Sequence, residues 1–149
     1  MTLTRREVLG LTAGAAAFIT FGGKAAFAAA AETEEAIKVF AGGAMPATGK
    51  ITLDAPEIAE NGNTVPVSVS VESPMTSDNY VESVVILAEG NPNPAVATFH
   101  FTAMSGEAAA KTRIRLAKTQ NVIAVAKMSD GSTFMDKKEV KVTIGGCGG

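Results

Sequence analysis

The chain has 149 residues, a length that suits one domain with a real hydrophobic core. Its formal net charge is -2, aromatic residues make up 5% and there is no Trp, a profile without the basic excess of a nucleic-acid binder. With 1 cysteine in the chain, Cys147, an internal disulfide framework is excluded.

The N-terminal stretch reads as an export signal. Arg5 and Arg6 stand directly before a mildly apolar run from Val8 to Phe21, the pattern of a twin-arginine signal. Small-residue cleavage sites follow at Ala26-Phe27-Ala28 or Ala28-Ala29-Ala30, which predicts a mature start near Ala29 or Ala31. A membrane anchor is the weaker reading, because the run is short and rich in Gly, Ala and Thr for a hydrocarbon core of roughly 30 Å. Removing Arg5, Arg6, Lys24 and Glu7 takes the net charge from -2 to -4. The expected division is residues 1–30 as a cleaved signal, 31–144 as a β-sandwich domain and 145–149 as a flexible C-terminal arm, with the mature protein in the periplasm. Twin-arginine export moves folded proteins, and the chain shows no cofactor motif, so a partner subunit assembled before export is the expectation.

Glu32 to Ala41 is predicted as a short helix, with Thr33 as its N-cap, Glu34 and Glu35 in the first turn, and Gly42-Gly43 as the stop. Met45 to Gly49 reads as a connecting loop. From Lys50 the hydrophobic period becomes two. Ile51 and Leu53 alternate with Thr52 and Asp54, and Asn61-Gly62-Asn63 marks a turn. Val65, Val67, Val69 and Val71 alternate with Pro66, Ser68, Ser70 and Glu72, and Pro66 places the beginning of that strand at an edge or bulge. Tyr80 to Ala88 contains Val84-Val85-Ile86-Leu87, an apolar run that fits a central strand covered on both faces. Further strands are predicted over Ala95 to Ala103, Thr112 to Leu116, Val122 to Met128 and Lys138 to Ile144. About seven short strands separated by turn signals predict an all-β, immunoglobulin-like antiparallel sandwich with a short N-terminal helix.

The chemistry concentrates at Gly145-Gly146-Cys147-Gly148-Gly149. If Ile144 is the last residue gripped by the sheet, Cys147 reaches about 10 Å from it when extended, at roughly 3.3 to 3.6 Å per residue. Gly145, Gly146, Gly148 and Gly149 are expected to make this an arm with a reactive tip. An odd cysteine in an exported protein implies a working thiol or an intermolecular bond. No Lys, Arg or His neighbours it in sequence, so activation is expected from whatever pocket receives it. That is the logic of a carrier and not of an enzyme with its own nucleophile and base. His100, between Phe99 and Phe101, reads as a surface or interface residue of a strand, because no metal-ligand spacing or catalytic partner accompanies it. Arg113 and Arg115 share a strand face that is read as solvated rather than as an anion site. An adhesion-type sandwich with a terminal inter-chain disulfide is the alternative, and a thiol-disulfide enzyme lacks the resolving cysteine it needs.

Val71 to Thr76, Asn91 to Phe101, and Thr112 to Ala117 with Val122 to Ser132 resemble the Y subunit of the bacterial sulfur-oxidation (Sox) carrier. The ending Val140 to Gly149 resembles that family's carrier arm, with no departure at the functional position. The resemblance implies a heterodimer with a SoxZ-like subunit that has no export signal of its own. It also implies a c-type cytochrome enzyme (SoxAX-like) that joins thiosulfate oxidatively to Cys147 as a cysteine S-thiosulfonate. A thiosulfohydrolase with a manganese centre (SoxB-like) then releases sulfate, and a molybdenum-haem sulfur dehydrogenase (SoxCD-like), where present, oxidises the remaining sulfane sulfur. The chain itself is implied to be a carrier without cofactor, metal or catalytic residues.

Overall fold

The computed structural model describes residues 29–146. The twin-arginine segment, most of the predicted cleavage region and Cys147-Gly148-Gly149 lie outside these residues.

Helix α1 occupies residues 29–41. Its end is set by Gly42 at φ 80°, with the Gly43 amide donating to the Lys38 carbonyl at 2.7 Å and the Gly42 amide to Val39 at 3.3 Å. These are the two bonds of a Schellman stop, and Gly42 takes the left-handed position that a Cβ disfavours. The start differs from expectation. Thr33 is not an N-cap: it is 2% exposed, and its hydroxyl donates to the Ala29 carbonyl one turn earlier at 3.0 Å. The helix continues back through the Ala-rich stretch because alanine favours helix and nothing there interrupts it. Lys38 and Glu34 form an exposed i,i+4 pair at 3.9 Å, a contribution of a few tenths of a kcal/mol.

The chain then forms nine strands: β1 Ala47–Thr48, β2 Ile51–Asp54, β3 Ile58–Asn61, β4 Val65–Val71, β5 Val81–Ala88, β6 Ala95–His100, β7 Ala108–Ile114, β8 Gln120–Met128 and β9 Thr133–Ile144. They pack as a six-stranded sheet in the order β1-β9-β8-β5-β6, with β3 also on β9, and a three-stranded sheet in the order β2-β4-β7. The immunoglobulin-like all-β sandwich expected from the sequence is the observed architecture, with two strands more than expected. β1 lies in the segment read as a loop and β3 in one that carried no strand signal, and both pair with β9 in parallel rather than antiparallel fashion. β9 begins at Thr133, ahead of the predicted Lys138, and β7 begins at Ala108, ahead of Thr112.

Between the sheets, the inward residues Leu53, Val65, Val81, Val84, Leu116, Val122 and Val140 are completely buried. Each such side chain contributes roughly 1.5–3 kcal/mol of burial. The alternation of β4 is realised in full, with its valines inward. β2 ends at Asp54 opposite Ser68, so Pro66 lies beyond its end and costs no ladder bond on that side. β5 shows why an unbroken apolar run was needed. Val84 and Ile86 face the sandwich core, whereas Val85 and Leu87 lie with Ile123 and Val125 in a second cluster against Ile37 of α1. The two sheets are also stitched at one edge, where the Leu53 amide donates to Asp136 Oδ2 at 2.9 Å.

Candidate functional site

β9 delivers the chain to the arm. Its first part is paired with β8, from Thr133 opposite Lys127 to Val140 opposite Gln120. Its last part is paired with β3, where Ala59 faces Val142 and Asn61 faces Ile144. The change of partner is bridged by Thr119, whose hydroxyl accepts from the Val142 amide at 2.9 Å, and by the Glu57 carbonyl, which accepts from the Lys141 amide at 2.9 Å.

At the end of β9 three chain segments meet through their backbones. The Gly62 amide donates to the Ile144 carbonyl at 2.7 Å, the Leu116 amide to the Gly62 carbonyl at 2.8 Å, and the Gly146 amide to the Leu116 carbonyl at 2.9 Å. Gly146 is buried. A Cβ on Gly146 would lie 2.8 Å from the Gly62 carbonyl oxygen, one on Gly62 would lie 2.8 Å from the Gly146 nitrogen, and one on Gly145 would strike the Ala117 carbonyl oxygen. Real Cβ atoms do not approach so closely. The sequence reading assigned Gly145 and Gly146 to arm flexibility; in the structure Gly146 is docked against the domain, while Gly145 is exposed but passes close to the Ala117 carbonyl, so that the lack of a side chain at both permits close approach. Gly62 serves the same end, since it is not among the glycines with positive φ.

The segment that receives Gly146 is itself held from inside. Asn91, 5% exposed, donates from Nδ2 to the Arg115 carbonyl at 2.8 Å and accepts at Oδ1 from the Ala117 amide at 3.0 Å. Gln120, 7% exposed, donates from Nε2 to Asn91 Oδ1 at 2.9 Å and to the Lys118 carbonyl at 3.0 Å, and accepts from the Gly90 amide at 2.7 Å. Every polar group of this pair that can be read has a partner, so the amides rigidify the loop without a desolvation penalty. Neither Asn91 nor Gln120 was singled out from sequence. Asn91 looked like one more turn residue in Gly90-Asn91-Pro92-Asn93-Pro94, and Gln120 was the unremarked start of a strand.

The other candidates lie elsewhere. His100 is exposed at the end of β6, opposite Ser83 near the start of β5. The arm root lies near the opposite end of that sheet, where Ala88 pairs with Val122. Five residues of strand separate those ends, roughly 17 Å at 3.4 Å per residue, so His100 is not at the arm. Arg113 is exposed on β7 opposite Pro66. Arg115, also exposed, follows the end of β7 and adjoins the arm root through its own backbone. Among the described residues no group of three His, Cys, Asp or Glu side chains gathers to hold a metal ion. An open depression of about 900 Å³ is bordered by Asp54, Pro66, Ser68, Lys111 and Arg113. Cys147 lies outside the described residues and follows Gly146 in the chain.

A family model described as the sulfur oxidation protein SoxY matches residues 36–147. Among solved structures, the sulfur carrier protein SoxY from Chlorobium limicola f thiosulfatophilum is 34% identical, with a TM-score of 0.60 over 74% of this chain and 96% of that one. Superoxide reductase (neelaredoxin) from Ignicoccus hospitalis is 23% identical, with a TM-score of 0.56 over 64% of this chain and 81% of that one. Superoxide reductase from Nanoarchaeum equitans is 16% identical, with a TM-score of 0.54 over 64% of this chain and 99% of that one. Both reductases share the sandwich fold and nothing more specific. No curated protein matches the chain. The family match extends through the docked glycines to the cysteine itself, and the chain belongs to the SoxY family of sulfur oxidation proteins.

Proposed function

We propose that this protein carries sulfur intermediates covalently on Cys147 during thiosulfate oxidation, and that partner enzymes perform the chemistry. The observation that carries the proposal is the family match ending at Cys147, with the Gly146 amide before it bonded to the Leu116 carbonyl of the domain. The related protein from Chlorobium limicola is described as a sulfur carrier. A thiol set just beyond a rigid root is accessible to an enzyme's pocket while the bulk of the domain stays outside.

The proposed cycle balances as follows. The Cys147 thiol and thiosulfate form an S–S bond with loss of two electrons and one proton, the electrons passing to a c-type cytochrome. Water then attacks the terminal sulfone group, the bond between it and the sulfane sulfur breaks, and sulfate leaves while the persulfide stays on the cysteine. A sulfur dehydrogenase then removes six electrons from that outer sulfur, with three waters supplying its oxygens and a c-type cytochrome taking the electrons, and hydrolysis of the resulting S-sulfonate releases a second sulfate and restores the thiol. A SoxZ-like subunit would complete the carrier, and the twin-arginine pattern at Arg5-Arg6 supports a periplasmic mature protein. Supporting this division of labour, the exposed His100 lies far from the arm root, so a base for these steps is expected from the visiting enzyme.

The test is intact-mass and peptide analysis of the protein isolated from cells oxidising thiosulfate. Sulfur-containing adducts on the C-terminal peptide are expected, and Cys147→Ser should abolish thiosulfate-dependent electron transfer. Bare thiol or simple disulfide dimer under turnover, with the Cys147→Ser strain unaffected, would overturn the carrier reading in favour of an inter-chain linker.

A further inference from the structure

We infer that Gly62, Gly145 and Gly146 form a glycine-only joint that fixes the point from which the attachment cysteine leaves the domain, with Gly62 acting as a positioning residue for the carrier. The inference rests on the carrier reading for its consequence, but the joint itself does not.

Three observations converge. The hydrogen bonds Gly62 to Ile144, Leu116 to Gly62 and Gly146 to Leu116 run through backbone atoms alone, so no side chain is available to replace a lost one. All three glycines sit where a Cβ would enter backbone atoms of another segment, and backbone yields less readily than a flexible side chain. The receiving segment is locked from behind by the buried side chains of Asn91 and Gln120, so it cannot swing away to make room.

The consequence concerns geometry. If Gly145 and Gly146 were both hinges, the thiol would sweep a volume about 10 Å in radius around Ile144. With the joint closed, Cys147 departs from Gly146, and an enzyme meets it at one place on one end of the sandwich. Fixing the departure point lowers the orientational cost of docking the tip into a pocket. The pair of glycines before Cys147 therefore serves close packing.

The experiment uses the mature chain and compares Gly62→Ala, Gly145→Ala and Gly148→Ala. Amide hydrogen exchange should show the Gly146 amide protected about a hundredfold or more in the unsubstituted protein. Gly145→Ala, at the end of the last strand where it does not threaten the core, should reduce that protection by about tenfold or more while β5 and β8 amides stay protected. Gly62→Ala should act in the same direction. In loading assays with the conjugating enzyme, Gly145→Ala should raise the KM for the carrier about fivefold more than Gly148→Ala, with kcat little changed. A Gly146 amide that exchanges as in an unstructured peptide, or equal KM effects of Gly145→Ala and Gly148→Ala, would overturn the joint. Absence of any sulfur adduct on the unsubstituted protein would instead overturn the carrier reading and leave the exchange result to decide the joint.

Discussion

Asn91 holds Ala117 from inside the domain: its Oδ1 accepts from the Ala117 amide at 3.0 Å while its Nδ2 reaches the Arg115 carbonyl two residues earlier at 2.8 Å. Replacing this amide with a leucine of similar size leaves two backbone groups and the Gln120 Nε2 without their partner. Asn91→Leu should therefore destabilise the protein by about 1–3 kcal/mol. The check is a lowered urea midpoint at unchanged m-value, accompanied by faster exchange of the Ala117 amide. A midpoint equal to that of the unsubstituted protein would mean that the bracket contributes nothing.

Helix α1 is tied to the sheet by one narrow stripe. Ile37 is 3% exposed and packs with Val85, Leu87, Ile123 and Val125, whereas Val39 is 76% exposed. Ile37→Ala should cost about 2–5 kcal/mol and uncover that apolar sheet face, seen as increased binding of a hydrophobic dye. Val39→Ala should stay within about 0.5 kcal/mol of the parent. Equal effects of the two substitutions would contradict the packing.

The Asp136 carboxylate gives the fully buried Leu53 its backbone hydrogen-bond acceptor across the sheets at 2.9 Å. Asp136→Ala should cost about 1–3 kcal/mol, because the Leu53 amide loses that acceptor. Asp136→Asn keeps a carbonyl oxygen in place and should recover part of the loss. Thermal unfolding of the two variants provides the comparison, and an asparagine no better than the alanine would count against this bond.

The turn between β8 and β9 carries an acid-sensitive contact. Hydrogen bonds from the Ser132 hydroxyl and then the Ser132 amide hold the exposed Asp130 carboxyl below its ordinary value of 3.8. A folded-state pKa below the unfolded one adds stability that is present above the unfolded pKa and is lost as pH falls through the folded one. Asp130→Asn should flatten the fall of Tm below about pH 4 and leave a smaller difference between neutral and acid conditions. Parallel Tm profiles for the two proteins would refute the linkage.

Much of the sandwich was legible from period and punctuation. The valines of β4 and the double-faced run of β5 announce their burial because a strand's two faces alternate, and Gly42-Gly43 announces a helix stop because of its backbone preference. β1 and β3 were not legible. Ala47, Thr48 and the Ile58–Asn61 stretch are short and mostly exposed, and their strand character comes from β9 lying alongside, a contact between distant parts of the chain. Thr33 was misplaced as a cap because the helix reaches back through the alanines before it. At the arm root, the close packing of the glycines was not legible. Gly62 in Asn61-Gly62-Asn63 reads as turn chemistry, and Gly145-Gly146 as slack; only the spatial meeting of the segments shows that all three are packing residues.

The long last strand has a consequence for the order of events on the ribosome. β9 is gripped by β8, by β1 and by β3, and every one of these precedes it in the chain. The parallel contacts join residue 47 to 134 and residue 58 to 141, so their loops close late and slowly. Synthesis of Gly62 and Leu116 is finished long before the two glycines that dock on them appear. A nascent or truncated chain thus has the receiving surface but nothing to place in it, and Gly146 docks only on a domain that is already complete.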